Sequence, residues 1–251
     1  MSADSFSFRY SGKASGMRYE MWREEFGRKW LAADISPIGC DYLTSEITAS
    51  RHSFITLGSM RGTPLQIHHT DGVTENALGN MCFIVASGCR MSQCGRSIEL
   101  SRGDMTLLTA AEPARLTQLT EGDRWSIRIP HGLLADVCKD VEDKMVRPIA
   151  CGELSRLLSH QIEAARRLGP KHAPSADHAI AQYMLDLVVL CLGADESAAR
   201  VARHRGLAVA RLESIKAEIL RNLPRSDLGL AKIAASQGVS ARYVQHLFTF
   251  G

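Results

Sequence analysis

The sequence has no uninterrupted apolar run long enough to span a bilayer. The nearest approach, Tyr183–Leu192, is short and carries Asp186, so no membrane partner is expected. No apolar stretch opens the chain either: its first thirty residues hold Arg9, Lys13, Arg18, Glu20, Arg23, Glu24, Glu25, Arg28 and Lys29, and a secretory signal is not expected. There is no even cysteine framework, since seven cysteines are scattered from Cys40 to Cys191. That usage fits a reduced cytoplasm better than a disulfide-stapled fold. G-x-S-x-G, H-E-x-x-H and P-loop motifs are all missing, so none of those catalytic machineries is indicated and the protein is not expected to be an enzyme. At 45% hydrophobic and 23% charged residues, with a mean hydropathy of −0.09, the chain is neither disordered nor collagen-like. Its 251 residues suit one to two domains.

The net charge of +3 hides an uneven distribution. Residues 200–251 carry nine Lys/Arg against Glu213, Glu218 and Asp227, a balance of +6, which leaves residues 1–199 at −3. A local basic excess is the electrostatic footprint of a segment that meets a polyanion, although a solvated basic helix face gives the same count.

Three regimes follow one another along the chain. Residues 1 to about 40 show weak periodicity, with Trp22, Phe26 and Trp30 at i, i+4, i+8, the spacing of one helix face packed on the next domain. Residues 41 to about 130 read as β, with short apolar or alternating runs at 54–58, 65–69, 81–86, 97–100, 105–108 and 125–129, a rhythm that suggests a sandwich or barrel. Gly95-Arg96 and Gly103-Asp104 fall where tight turns reverse the chain. From His131 the period becomes helical. One stripe runs Leu133-Leu134-Val137-Cys138-Val141, and a second from Leu154 to Ala165 stops near Gly169-Pro170. A third runs from Ala179 to Cys191, and a fourth from Leu212 to Leu223 stops at Pro224. These stripes pack on the barrel or against a second copy of the chain, and a homodimer is among the expected assemblies.

The sharpest pattern lies between Leu228 and Phe248. Leu230, Ile233 and Ala234 form the apolar face of a short helix, with small Ala234 where a second helix crosses. Gly238 suits a tight interhelical turn, Val239 anchors it, and Ser240 is a good cap for the next helix, whose buried face is Val244, Leu247 and Phe248. Arg242, Gln245 and His246 face away from that stripe. Arg pairs with guanine and Gln with adenine in a major groove, while Ser240 and Tyr243 offer hydroxyls to phosphate. A plain helical hairpin in water is the competing reading.

This segment resembles the first helix-turn-helix of the AraC/XylS family of bacterial transcription regulators. The likeness rests on Leu228, Ile233-Ala234, Gly238-Val239-Ser240, Arg242-Tyr243 and Leu247-Phe248, preceded by a lead helix from Arg211 to Leu223. The Gly88–Met105 segment and its β neighbours resemble the family's cupin-like effector domain. The resemblance implies an α+β chain: a cupin-like barrel with trailing helices over residues 1–200, then a partial all-α DNA-binding domain over 201–251. It also implies double-stranded DNA as a partner, read by Arg242, Gln245 and His246 with Ser240 and Tyr243 at the backbone. A small organic effector inside the barrel follows too, as does RNA polymerase if the protein is an activator. Gly229 departs from the Ser or Thr that usually caps the first helix. The chain also ends three residues after Phe248, without the family's second helix-turn-helix, so weak operator binding is expected.

No metal or other cofactor is expected. His68 and His69 are adjacent and point to opposite faces of a strand, Glu75 lies in a turn context, and Cys89 and Cys94 lack a second pair. A cupin-fold enzyme, or an effector-binding and dimerisation module without DNA binding of its own, are the alternatives. The effector's contacts are not readable from the sequence. Met81, Phe83, Trp125 and Arg128 are candidates to line its site, with core packing the simpler role for each.

Overall fold

The computed structural model describes residues 5–31, 33–69, 80–85, 88–135, 138, 140–149, 152–168 and 174–193. It also describes residues 212, 215, 216, 218, 219, 222, 223, 228–237 and 239–250; for residues 29–31, 80–85, 168, 174, 175, 249 and 250 it describes the backbone alone. The expected turn glycine Gly238, Glu75, and the side chains of Trp30, Met81 and Phe83 therefore lie outside the described residues.

Among the described residues, eleven antiparallel strands form two sheets. In chain order they are β1 Ser5–Lys13, β2 Ala33–Pro37, β3 Tyr42–His52, β4 Ile55–Gly62, β5 Leu65–His69, β6 Asn80–Val85, β7 Cys89–Gln93, β8 Arg96–Leu100, β9 Met105–Thr109, β10 Ala114–Gln118 and β11 Gly122–Ile129. One sheet runs β1-β3-β4-β11-β6-β9 and the other β2-β5-β10-β7-β8. Of the sandwich or barrel that the strand rhythm suggests, the structure has two open sheets facing each other and not a closed barrel. The strands stay within their own sheets rather than pairing around a full circle, and side chains of both sheets fill the space between them.

Period-two alternation assigns the faces. In the five-stranded sheet, Leu65, Ile67, Met91, Leu100 and Leu116 point inward and are buried, while Arg90, Glu99 and Arg115 point to solvent. The six-stranded sheet is covered on both sides, the reason Met105, Thr106, Leu107 and Leu108 of β9 are all buried. β1 escapes the sequence reading although Phe6, Phe8 and Tyr10 alternate along it. Its aromatic residues meet the N-terminal helix, α1 Met17–Trp22, which continues as a π-helical segment Arg23–Leu31. Tyr10 lies 5.5 Å from Trp22, and Phe8 lies 5.7 Å from Phe26, ring centre to ring centre. Trp22 and Phe26 are buried, as the i, i+4 spacing predicts.

Glycines set the turns where positive φ is needed. Cys94 (φ 52°) and Gly95 (φ 71°) form the two-residue connection between β7 and β8, one position earlier than the sequence suggests, and Arg96 opens β8. Both central residues are left-handed, the requirement of the hairpin turn that matches strand twist. Gly103 (φ 88°) precedes Asp104, whose Oδ2 accepts the Ser101 amide at 2.8 Å.

Helices α2 His131–Ala135, α3 Glu153–Leu168 and α4 Pro174–Cys191 follow. Among the described residues, the stripe from Leu133 to Val141 gives helix only within α2, and Val137 lies outside the described residues. Arg96 from β8 donates to the Met145 carbonyl at 2.9 Å, and the Val146 and Ile149 amides donate to Leu107 and Met105. Among the described residues after α2, Asp140–Lys144 form turns, and isolated bridges at Met145 and Ile149 tie the chain to β9. α3 lies against β4 and α4 against β3, on the sheet face that carries Ile55, Leu57, Ile127 and Ile129, all buried. Among the described residues no helix is long and apolar enough to cross a membrane.

A separate, smaller cluster forms near the C-terminus. The described residues from Leu212 to Asn222 are helical, followed by α5 Leu230–Ser236 and α6 Ala241–Phe250. Leu212, Ile215, Ile233, Ala234, Val244 and Leu247 bury one another. Glu218 accepts from the Ser236 hydroxyl and from Gln237 Nε2 at 2.8 Å, tying the lead helix to α5. Phe248, expected in the buried face, is 47% exposed: one residue past Leu247 turns it about 100° away from the seam.

One polar relay pins the helices to the sheet. Ser50 Oγ sits 3.0 Å from His52 Nε2, and His52 Nδ1 sits 3.0 Å from Asp177 Oδ1 on α4. Ser50 and His52 are buried, so removing one partner leaves the others desolvated. Asp177→Ala is expected to lower unfolding stability by about 1–3 kcal/mol in urea titration, whereas Asp177→Asn, which keeps an acceptor, is expected to lose less.

Candidate functional site

Between the two sheets lies a cavity of about 90 Å³. The strand register explains its walls. On β11, Arg124, Ser126 and Arg128 share one parity and stand opposite Met60, Gly58 and Thr56 of β4. Ile47 and Ala49 of β3 continue the same face, while Ile67, Ala114 and Leu116 close it from the other sheet and Phe26 from the N-terminal helix. Gly58 is required here for a close approach: a Cβ built on it would stand 2.5 Å from Ser126 Oγ. Trp125 also borders the cavity, but by parity it belongs to the face beside Ser59. Arg128, a candidate from the sequence, is placed on this wall, and His69 faces it while exposed His68 turns away. Met81 and Phe83 oppose Arg128 and Ser126 in the backbone register.

Sequence reasoning missed Arg124. It is 3% exposed, and its Nη1 and Nη2 are buried without a hydrogen-bond partner among the described residues. Burial pushes its pKa down to about 10, opposed by the Cys89 thiol. Burial in turn pushes Cys89 up to about 11, with Arg124 acting against that. At neutral pH the pair is therefore a charged guanidinium and a neutral thiol, and the two do not compensate each other. Burial also lowers the pKa of Arg128. The signal that could have found the site is the alternation Arg124-x-Ser126-x-Arg128 in a strand whose other face is Ile127 and Ile129.

The Ser50–His52–Asp177 relay has the connectivity of a hydrolytic triad, but Ser50 is 4% exposed and does not line the cavity. Its observed geometry is that of a fastener between β3 and α4.

The residues singled out near the C-terminus lie on or at the start of α6. The Ser240 side chain accepts the Tyr243 amide at 3.2 Å, which makes it the cap of α6. Arg242, Gln245 and His246 are exposed along one side, while Tyr243 is half-buried and packs on the apolar cluster. α5 begins at Gly229 in extended conformation without a side-chain cap, the local consequence of glycine at that position.

The burial contrast among the thiols gives a direct check. Cys40 and Cys94 are exposed and Cys89 is buried. With its pKa at about 11, the Cys89 thiolate fraction at pH 8 is on the order of one in a thousand. Brief alkylation at pH 8 followed by peptide mass mapping is expected to label Cys40 and Cys94 and to label Cys89 only after denaturant is added.

The chain is similar to known proteins at two levels. The crystal structure of the AraC-like transcriptional activator CuxR superposes with a TM-score of 0.59 at 18% identity, covering 96% of this chain and 89% of that one. At this identity the likeness is one of fold. Two weaker structural matches are a cupin-like protein from Thermotoga maritima (TM-score 0.30, 10% identity, 44% of this chain and 87% of that one) and a putative ethanolamine utilization protein from Salmonella typhimurium (TM-score 0.30, 12% identity, 35% and 70%). No curated protein sequence matches the chain. The family model for the AraC-binding-like domain matches residues 22–221, most of the sequence, and the chain belongs to the AraC-binding-like domain family.

Proposed function

We propose that the protein is a bacterial transcription regulator of the AraC type, which binds DNA through a helix-turn-helix formed by α5 and α6 and is controlled by a small organic effector held between the two sheets. The observation that carries this reading is the arrangement of α6. Its buried face is held by α5 and the lead helix, its start is capped by Ser240, and its exposed side presents Arg242, Gln245 and His246 together. A helix fixed from behind and polar in front is what insertion into a major groove requires.

In this reading Arg242 and Gln245 reach base edges, and His246 supports them. Ser240 uses its oxygen for the cap and keeps its O–H to donate to phosphate, and Tyr243 contributes at the edge of the groove. The basic balance of residues 200–251 adds non-specific attraction that falls with salt. The protein acts as a regulator in the cytoplasm and not as an enzyme. The effector domain, α3 and α4 offer the surface for a homodimer, and an activator of this kind would also meet RNA polymerase.

The test is selection of genomic DNA fragments by the purified chain, followed by binding titrations at several salt concentrations. A shared sequence motif is expected among the selected fragments. Arg242→Ala and Gln245→Ala are each expected to cost about 1–3 kcal/mol of discrimination while leaving the melting temperature unchanged, because both side chains are exposed. Val244→Ala, in the buried seam, is expected to unfold the α5–α6 pair and abolish binding altogether. Fragments without a common motif, or variants that bind like the parent, would refute the assignment.

A further inference from the structure

The cavity holds one feature that a purely structural role does not account for. Both terminal nitrogens of Arg124 are buried with no hydrogen-bond partner among the described residues. Its register neighbour on β4 is Met60, and the walls around it include Ile47, Ala49, Ile67 and Leu116. Moving a guanidinium out of water without a counter-charge costs several kcal/mol. A sequence selected for packing alone would place Met or Leu there, since an apolar residue of similar volume is as stable or more so.

A trapped water could satisfy an Nη–H, but it would leave the charge uncompensated. A carboxylate does both, because the planar fork of arginine matches its two oxygens in a bidentate pair. The surroundings define the rest of the ligand. The partnerless guanidinium of Arg124 asks for a negative charge, Arg128 on the same wall adds a second cation, and the apolar walls ask for a hydrocarbon or aromatic body. Further along the same face, Ser126 and Thr56 offer hydroxyls, with Ser126 lying over Gly58.

We propose that the effector is a small organic carboxylate, gripped through its two oxygens by Nη1 and Nη2 of Arg124, with its apolar body against Ile47, Met60 and Leu116. This rests on the reading of the cavity as an effector site and names the chemistry of what enters it. Arg124 is then a sensor residue: vacant, the site holds an uncompensated charge on β11, and occupied, it holds an ion pair on the strand whose other face carries Ile127 and Ile129 beneath the helices.

The experiment uses the full chain and matched probes. Straight-chain carboxylates from butyrate to octanoate, benzoate and phenylacetate are each compared with their primary amides, and phenyl phosphate is included as a different oxyanion. Thermal-shift and calorimetric titrations are run on the parent, Arg124→Met and Arg124→Lys. At least one carboxylate is expected to bind ten-fold or more tightly than its amide. Arg124→Met is expected to lose that binding by at least ten-fold while melting, ligand-free, at or above the parent temperature. Arg124→Lys, which keeps the charge but not the fork, is expected to fall between them.

Equal binding of acid and amide, or carboxylate binding that survives Arg124→Met, would overturn the carboxylate assignment and leave effector sensing standing. Binding of phenyl phosphate alone would also overturn it. A ligand-free Arg124→Met that melts well below the parent would show that the guanidinium supports the fold instead. A panel in which no member of either charge binds would count against both the assignment and the cavity as an effector site.

Discussion

The pleat of β11 is the constraint on which the rest of the molecule turns. Successive side chains of a strand point to opposite faces, so Gly122–Ile129 must serve two environments at once. Ile127 and Ile129 are fully buried on the face that α3 and α4 cover. Arg124, Ser126 and Arg128 point the other way, into the space between the sheets. A strand at the middle of the six-stranded sheet, hydrogen-bonded to β4 on one side and β6 on the other, cannot shift one face without shifting the other. A one-residue slip would move three polar side chains under the helices and two isoleucines into the cavity. Register is therefore tightly specified by the two environments together.

That constraint joins the cavity wall to the helical layer without any special pathway. The cavity wall and the helix-packing surface are two sides of one strand, a few ångströms apart. The helices are attached to the same sheet by the buried Ser50–His52–Asp177 relay and by the apolar face of α4, of which Val188 and Val189 are fully buried. An outer band of ion pairs, Arg9–Glu46 and Arg61–Asp123 on the sheet and Glu163 with Arg166 and Arg167 on α3, adds little to stability because most of these side chains are exposed. Its positions nonetheless mark where α3 meets the sheet. Arg166 and Arg167, by hydrogen bonding, hold the Glu163 carboxyl below its usual range.

The small C-terminal cluster follows a different logic. Six buried side chains, drawn from the lead helix, α5 and α6, hold a surface whose exposed members are polar. Its core is too small to tolerate error, so each position has a clear local reason. Ala234 is small where helices cross, Ser240 caps, and Val244 and Leu247 fill the seam. Such economy is why this segment was the most readable part of the chain.

Local chemistry was thus visible in the residues themselves. The helical stripes of α3 and α4, the Gly103-Asp104 turn, the Ser240 cap and the opposed histidines His68 and His69 all follow from periodicity, propensity or alternation acting over a few residues. Phe6-Phe8-Tyr10 carried the same kind of signal for β1 and was masked only by the helical spacing of Trp22 and Phe26 that follows it. What the amino-acid order did not decide was anything that depends on which surfaces meet. The strands form two facing open sheets, the described residues after α2 turn toward β9 instead of continuing the helix, and Phe248 turns outward. Above all, Arg124 reads in the sequence as one more charged residue on a strand. Only the approach of the second sheet removes it from water and leaves it without a counter-charge among the described residues, because burial is a property of packing between distant segments and not of any residue's neighbours in the chain.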